Sequence, residues 1–313
     1  MFVCKIGPGP DGKYHMKFNY NQDDAARFEV VQIPCGKCEG CRLDYSRQWA
    51  NRIMLEAQYH EHSAFLTLTY DQDHVPISYT VDESTGEAFE AQTLVKRDWQ
   101  LFMKRLRKHF EPAQLRFFMC GEYGSKTLRP HFHAIIFGLE IPDLQLYSRG
   151  KAGKPYMSSE ILNRIWGNGY VIVGDLSWKS AAYVARYCMK KAHGQDAKYF
   201  QKLGMLPEFT LMSRNPGIAY QWYQDHPDLY DHAFINVSNE EGGQKFPPPK
   251  YFDRLREAED PEFISQLKKE RKAFAEASMK AKLEGTDLEP WVYLEVEEAA
   301  KSARIKSLKR SAI

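Results

Sequence analysis

The sequence predicts an α+β protein: an antiparallel sheet of about five strands with helices packed on one side, followed by a mainly helical, charged C-terminal extension. Three observations predict it. Short runs that alternate between two faces, such as Phe65-Leu66-Thr67-Leu68-Thr69-Tyr70 and His131-Phe132-His133-Ala134-Ile135-Ile136-Phe137-Gly138, are bounded by turn residues, the pattern of half-buried strands. Between them lie stretches without Pro that repeat apolar residues at helical spacing. Beyond residue 250, Glu, Lys, Arg and Ala dominate, which suits exposed helices of mixed charge.

The elements follow in order. Residues 1–43 form a Cys-rich segment, and Asp44 to His62 reads as a helix with Trp49, Ile53 and Ala57 on one side. Ala64 to Tyr70 is a strand, with Thr67 and Thr69 sharing a face with Phe65. A loop with Asp71, Asp73 and His74 follows, and residues 80–93 are acidic and turn-rich, a surface hairpin or loop. Leu94 to Phe110 is a helix whose stripe of Leu94, Trp99, Phe102, Met103, Leu106 and Phe110 faces a core. Two further strands, around 115–122 and 129–137, are joined by a turn into a hairpin. The stretch from Glu140 to Tyr156 is a loop, Ser158 to Trp166 a short helix capped by Ser158, and Gly169 to Gly174 a strand rich in Val and Ile. A helix from about Ser177 to Ala192 closes a body over residues 44–238. Residues 239–250, with Gly242-Gly243 and Pro247-Pro248-Pro249, form a linker to the tail at 251–313.

Bulk properties narrow the function. At 313 residues the chain can build a substantial core. A formal net charge of +2 is too small for a protein that simply coats DNA, so any nucleic-acid surface is local. No apolar run is long enough for a membrane span and no signal peptide is evident, so the expectation is a soluble, intracellular protein with reduced cysteines.

Chemistry concentrates in three places. In the second hairpin strand His131 and His133 emerge on one face and Phe132 on the other, two imidazoles that make half a metal site. The partner strand brings Glu122 beside them as the third ligand, with His74 as the rival. In the Ala-rich helix, Tyr183 and Tyr187 stand one turn apart on one face with Arg186 between them and Lys190 and Lys191 following; cations there suit phosphate better than a core. Cys35, Cys38 and Cys41, with glycines between, can turn three thiolates to one point, and Cys4 is the expected fourth ligand of a structural Zn²⁺. An iron–sulfur cluster shares the spacing, but the Cys-Pro continuation of the bacterial ferredoxin run is missing. The helix at 94–110 carries Arg97, Lys104, Arg105, Arg107 and Lys108 against Asp98 alone, a bias read as a phosphate-contacting face; Arg129 and Arg186 join this DNA-binding set.

The His-apolar-His strand and the tyrosine helix resemble the HUH endonucleases. The wider pattern is similar to the replication initiation proteins of small single-stranded DNA phages, especially the gokushovirus type, through Pro34-Cys35-Gly36-Lys37-Cys38-Glu39-Gly40-Cys41-Arg42, Phe65-Leu66-Thr67-Leu68-Thr69-Tyr70 and Cys120-Gly121-Glu122-Tyr123-Gly124. The likeness covers roughly residues 30–220. It implies an RRM-like palm fold and Mg²⁺ or Mn²⁺ at His131, His133 and Glu122. It further implies a rolling-circle initiator that nicks single-stranded or extruded origin DNA through a 5′-phosphotyrosine on Tyr183 or Tyr187 and rejoins strands to release circles, in the cytoplasm of an infected bacterium. No nucleotide-cradling Gly-x-x-x-x-Gly-Lys-Ser/Thr loop is present, so a host helicase, polymerase and single-strand-binding protein would be partners. Two alternatives stay open on sequence alone: a metal-dependent phosphodiesterase using water, and a non-enzymatic zinc-containing DNA-binding regulator.

Overall fold

The structure, a computed structural model, describes residues 2–8, 14–36, 38–82, 85–124, 127–150, 153, 155–187, 195–239 and 242–307. The chain divides into two compact units, Met1–Asp44 and Tyr45–Ile313. In the first, β1 (Phe2–Pro8) pairs antiparallel with β2 (Tyr14–Lys17) on one edge; α1 (Gln22–Arg27) then leads to β3 (Glu29–Gln32) on the other. A capping box starts α1: the Asn21 side chain accepts from the Asp24 N–H at 2.9 Å, and the Asp24 carboxylate accepts from the Asn21 N–H at 3.0 Å. This small sheet was not expected, because two of its strands are four residues long and mostly exposed.

The second unit follows α2 (Glu39–Ala57), which begins earlier and ends sooner than its apolar spacing indicated. Then come β4 (Ser63–Tyr70), a hairpin of β5 (Ile77–Val81) and β6 (Ala88–Gln92), and α3 (Lys96–His109). The hairpin partners β7 (Arg116–Tyr123) and β8 (Pro130–Phe137) are succeeded by β9 (Gln145–Arg149), β10 (Pro155–Ser158), α4 (Glu160–Trp166) and β11 (Gly169–Asp175). The chain continues through α5 (Trp178–Tyr187), α6 (Gln195–Lys202), β12 (Phe209–Met212) and α7 (Tyr220–Asp225), and ends with β13 (Ile235–Asn239), β14 (Gly242–Phe246), α8 (Lys250–Glu259), α9 (Pro261–Glu284) and α10 (Pro290–Ser307). No helix among the described residues is long and apolar enough to cross a membrane.

Seven strands form one antiparallel sheet in the order β12-β7-β8-β4-β11-β10-β9, two more than expected. The additional pair is β9 and β10, inside the stretch read as a loop; every residue of β9 is exposed, so no alternation marks it. Helices cover both faces of the sheet rather than one. On one face Leu66, Leu68, Phe132, Ala134 and Ile136 meet Trp99, Phe102 and Leu106 of α3 and Leu162 and Trp166 of α4. On the other, Phe65, Phe118, Ile135 and Phe137 meet Ala50 and Ile53 of α2 and Ala181, Ala182 and Val184 of α5. The short helix α4 is capped by Ser159, one residue later than expected, whose hydroxyl accepts from the Leu162 N–H at 3.1 Å.

Phe132 explains why β8 faces the way it does. Its ring is fully buried, with centroids 5.8 Å from Trp166, 5.9 Å from Tyr70 and 6.1 Å from Trp99. Burying such a ring contributes about 2–3 kcal/mol, and alternation then sends His131 and His133 to the opposite face.

The expected linker at 239–250 requires correction. Its second half is β14, paired with β13, and Phe246 is buried with Leu55, Trp222, Ile235 and Phe252. The segment therefore docks α8 onto the body instead of spacing it away. Trp222 and Tyr223 pack into this cluster, as their sequence context suggested. The tail beyond is helical through α9 and α10, with few buried side chains.

Candidate active site

Pairing register assembles the site. Glu122 on β7 lies opposite His131 on β8, and Cys120 opposite His133. On the other flank of β8, Thr69 of β4 faces His131 and Thr67 faces His133. Glu122 Oε1 stands 2.8 Å from His131 Nε2 and 2.9 Å from His133 Nε2. Glu122 and His133 are 2% and 3% exposed, so this cluster sits in a low-dielectric recess. Burial alone would push the Glu122 carboxyl up, but hydrogen bonding to His131 and His133 outweighs it and holds the group below the usual carboxylate range.

The far side of each imidazole shows what the near side can do. His131 Nδ1 lies 3.1 Å from the Arg129 carbonyl, which can only accept, so Nδ1 carries the proton. A neutral His131 therefore turns the Nε2 lone pair toward a carboxylate oxygen. Two lone pairs at that separation repel unless a proton or a cation lies between them. Donors about 2.1 Å from one octahedral cation, at right angles to each other, are about 3.0 Å apart, close to the two distances observed. Glu122 Oε2 is buried with no hydrogen-bond partner among the described residues, leaving a second anionic donor in the recess. Among the described residues, Glu122, His131 and His133 form one of two groups whose donor atoms all lie within 4.8 Å of one another. The donor set fits a hard divalent cation such as Mg²⁺ or Mn²⁺.

The helix α5 packs on the same face. Ser46 of α2 donates its hydroxyl to the Ala182 carbonyl at 3.1 Å, and Trp178 Nε1 donates to Asn51 Oδ1 at 2.9 Å. These bonds help hold the helix across the sheet, and the Tyr183 ring stands edge-on to the His133 ring, centroids 5.1 Å apart at 85°. On another side Phe65 lies nearly parallel to His133 at 5.6 Å. Tyr187 closes α5 one turn later; its side chain, like Lys190 and Lys191, lies outside the described residues. Arg186 is exposed on the same helix.

Comparison with known proteins bears on this arrangement. The family model for the replication-associated protein ORF2 matches residues 63–192, from the first residue of β4 past the end of α5. Over 274 residues the chain is 31% identical to the replication-associated protein ORF2 of Spiroplasma virus 4, which spans 83% of this chain and 82% of that one. The chain belongs to the replication-associated protein family. Replication-associated protein VP4 of Bdellovibrio phage phiMH2K is 29% identical over 257 residues, 78% of this chain and 75% of its own. Replication-associated protein ORF4 of Chlamydia phage 1 is 33% identical over 168 residues, 51% of this chain and 38% of its own. No solved structure matches.

In this replication-associated protein the basic residues singled out by sequence separate into different roles. Arg97, Lys104 and Lys108 are exposed on α3, but α3 covers the sheet face opposite the His pair, so they do not border the site. Arg105 donates to the Trp166 carbonyl at 2.8 Å and Arg107 to the Leu115 carbonyl at 3.3 Å. Arg129 donates to the Tyr70 carbonyl at 3.1 and 2.8 Å and to Gln72 Oε1 at 3.2 Å, fastening β8 to the end of β4. His74 is exposed and bonded to Asp71 at 2.7 Å, apart from the ligand cluster that includes Glu122.

Two residues were missed or undervalued by sequence reasoning. Thr67, whose type suits any strand, places Oγ1 2.9 Å from His133 Nδ1 and orients that ring. Thr67→Val keeps the shape and removes this bond; we expect stability to change by no more than about 1 kcal/mol while Mn²⁺ affinity, read by calorimetry, falls about tenfold or more. Tyr170 lies opposite Thr69, next but one to His131 across the sheet, and is 62% exposed. Its surroundings in sequence mark only a strand; cross-strand register was needed to find it.

The cysteines also divide. Cys120 is a fully buried, packed thiol. Cys35, Cys38 and Cys41 draw together, whereas Cys4 is buried in β1 and stands outside that group. Cys188 lies outside the described residues.

Proposed function

We propose that this replication-associated protein initiates rolling-circle replication as a nicking and joining enzyme that cuts single-stranded origin DNA on Tyr183. The observation that carries the reading is the Tyr183 ring set against His133, itself one of three donors around a recess suited to a divalent cation. Three jobs are needed to cleave a phosphodiester: neutralising its anionic oxygens, delivering a nucleophile in line, and accommodating the leaving alkoxide.

Glu122, His131 and His133 would hold the Mg²⁺ or Mn²⁺, which supplies Lewis acidity toward the scissile phosphate when bound. The Arg129 carbonyl and Thr67 hold the two imidazoles with Nε2 toward Glu122. Tyr183 supplies the attacking oxygen; its phenolic proton leaves as the Oη–P bond forms, and exposed Arg186, one position beyond Ala185 on α5, adds a positive field for that anion. The P–O3′ bond breaks and the 3′ oxygen takes up a proton. The product is a 5′-phosphotyrosine with a free 3′-hydroxyl, and reversal by a 3′-hydroxyl reseals DNA without ATP. Tyr187, one turn on, is placed by sequence to serve a second cleavage. Unwinding and synthesis would come from host helicase, polymerase and single-strand-binding protein.

Tyr170 offers an exposed ring beside Thr69 on which an unpaired base could stack. Tyr170→Ala is expected to weaken binding of a single-stranded oligonucleotide by about 1–3 kcal/mol in fluorescence anisotropy, with folding unchanged. The reading as a whole is tested by incubating the protein with an origin oligonucleotide and Mn²⁺ and mapping the modified peptide by mass spectrometry. A nucleotide on Tyr183 or Tyr187 supports it; cut DNA with no adduct on either would move the attack to water and overturn it.

A further inference from the structure

The N-terminal unit carries a second constellation that the nicking reading does not use. The sulfurs of Cys35, Cys38 and Cys41 all lie within 4.8 Å of one another, and Cys35 Sγ and Cys41 Sγ are 3.9 Å apart. That spacing discriminates among the fates of clustered cysteines. A disulfide brings sulfurs to about 2.05 Å. An iron–sulfur cluster binds each thiolate to a different iron and spreads them further. Four thiolates about 2.3 Å from a single tetrahedral Zn²⁺ stand about 3.8 Å apart, close to the separation seen.

The local backbone is built for the same end. Gly36 adopts φ 70°, a left-handed turn that a side chain would disfavour, and so lets the chain double back between Cys35 and Cys38. The Cys38 N–H donates to Cys35 Sγ at 3.1 Å, the kind of bond that favours a thiolate at that sulfur. The Arg42 N–H donates to the Cys38 carbonyl at 3.0 Å, so Cys41 enters α2 in step with the turn.

An independent observation shows why a metal is needed. Among the described residues of Met1–Asp44, only Val3 and Cys4 are buried. A unit of this size with two buried apolar side chains has almost no hydrophobic core, and domains of about 40 residues generally need a disulfide, a metal or a partner. Cys4 belongs to that small core, 0% exposed on the central strand β1.

We propose that Cys35, Cys38 and Cys41 bind one Zn²⁺ as thiolates, with the fourth position taken by an oxygen or nitrogen donor and not by Cys4, and that this ion staples the N-terminal unit. The proposal is independent of the metal proposed at Glu122, His131 and His133.

The full-length protein, purified under reducing conditions without chelator, is to be assayed for metal by plasma mass spectrometry and for ligands by X-ray absorption at the zinc edge. One zinc per chain with three sulfur neighbours and one lighter neighbour is expected. Cys35→Ser, Cys38→Ser and Cys41→Ser should each lose it, while Cys4→Ala and the double variant His131→Ala/His133→Ala should keep it. Should the serine variants fail to fold, Co²⁺ added to the zinc-depleted wild-type protein gives the second readout, a thiolate-to-cobalt charge-transfer band with tetrahedral visible bands. Absence of zinc and of the cobalt spectrum, a four-sulfur shell lost in Cys4→Ala, or iron with acid-labile sulfide would each overturn the proposal.

Discussion

A chain carrying Tyr183→Phe together with Tyr187→Phe forms no covalent complex with origin DNA, and its strand-cleavage rate falls by about 10⁴-fold or more. The size of the effect follows from what is removed. Phe retains the ring that meets His133 and Phe65 edge-on, so packing and the donor recess survive, and stability should move by no more than about 1 kcal/mol. Only the attacking oxygens are gone. Denaturing electrophoresis with end-labelled oligonucleotide reads the adduct and the cut together. Wild-type cleavage persisting in the double variant would show that neither phenol is the nucleophile and would return the site to a water-activating phosphodiesterase.

The second large effect is expected from Glu122→Gln. The amide preserves shape but removes the negative charge from a residue only 2% exposed and flanked by two imidazoles. Divalent-cation affinity should drop at least about 100-fold, with nicking falling in parallel at fixed Mn²⁺. The same substitution has a pH signature in the metal-free protein. The folded-state pKa of Glu122 is lowered from the ordinary value of 4.5 because bonds to His131 and His133 outweigh desolvation. A depressed carboxylate stabilises the fold above its unfolded pKa and loses that contribution as pH falls through the folded value. Urea midpoints of the two proteins should therefore differ near neutrality and converge as pH falls below about 4.5. A constant difference down to strong acid would mean that the carboxylate is not held by the imidazoles.

Much of this site could be read from the chain because it rests on alternation. His131, Phe132 and His133 announce their faces by residue type, and Phe132 honours the reading by filling the core. The hairpin of β7 and β8 was legible for the same reason, although the placement of Glu122 directly across from His131 depended on a register that a loop of uncertain length hid. The Ala-rich stretch gave α5, and its packing onto the histidine face came from tertiary contacts with Ser46 and Asn51.

What failed, failed for physical reasons. The cations of α3 were assigned to DNA near the site because charge bias is visible in sequence, whereas the sheet face that a helix covers is not. The stripe of Trp99, Phe102 and Leu106 fits either face, and the structure places it behind Leu66 and Phe132. Arg105, Arg107 and Arg129 looked like phosphate ligands because sequence cannot show a carbonyl waiting for a guanidinium. The strand β9 has no inward residues to alternate, and the supposed linker hides its one apolar anchor, Phe246, beside three prolines.

The opposition of Glu122, His131 and Thr69 across three strands has an evolutionary corollary. Because a strand inverts its faces with every added residue, one codon gained or lost inside Pro130–Phe137 would turn both imidazoles inward and expose Phe132, while a change of two would preserve their orientation but shift their opposite numbers. Lineages of this protein should thus tolerate length variation in the connection between β7 and β8 far more readily than within either strand, and family members should differ in size there without differing in chemistry.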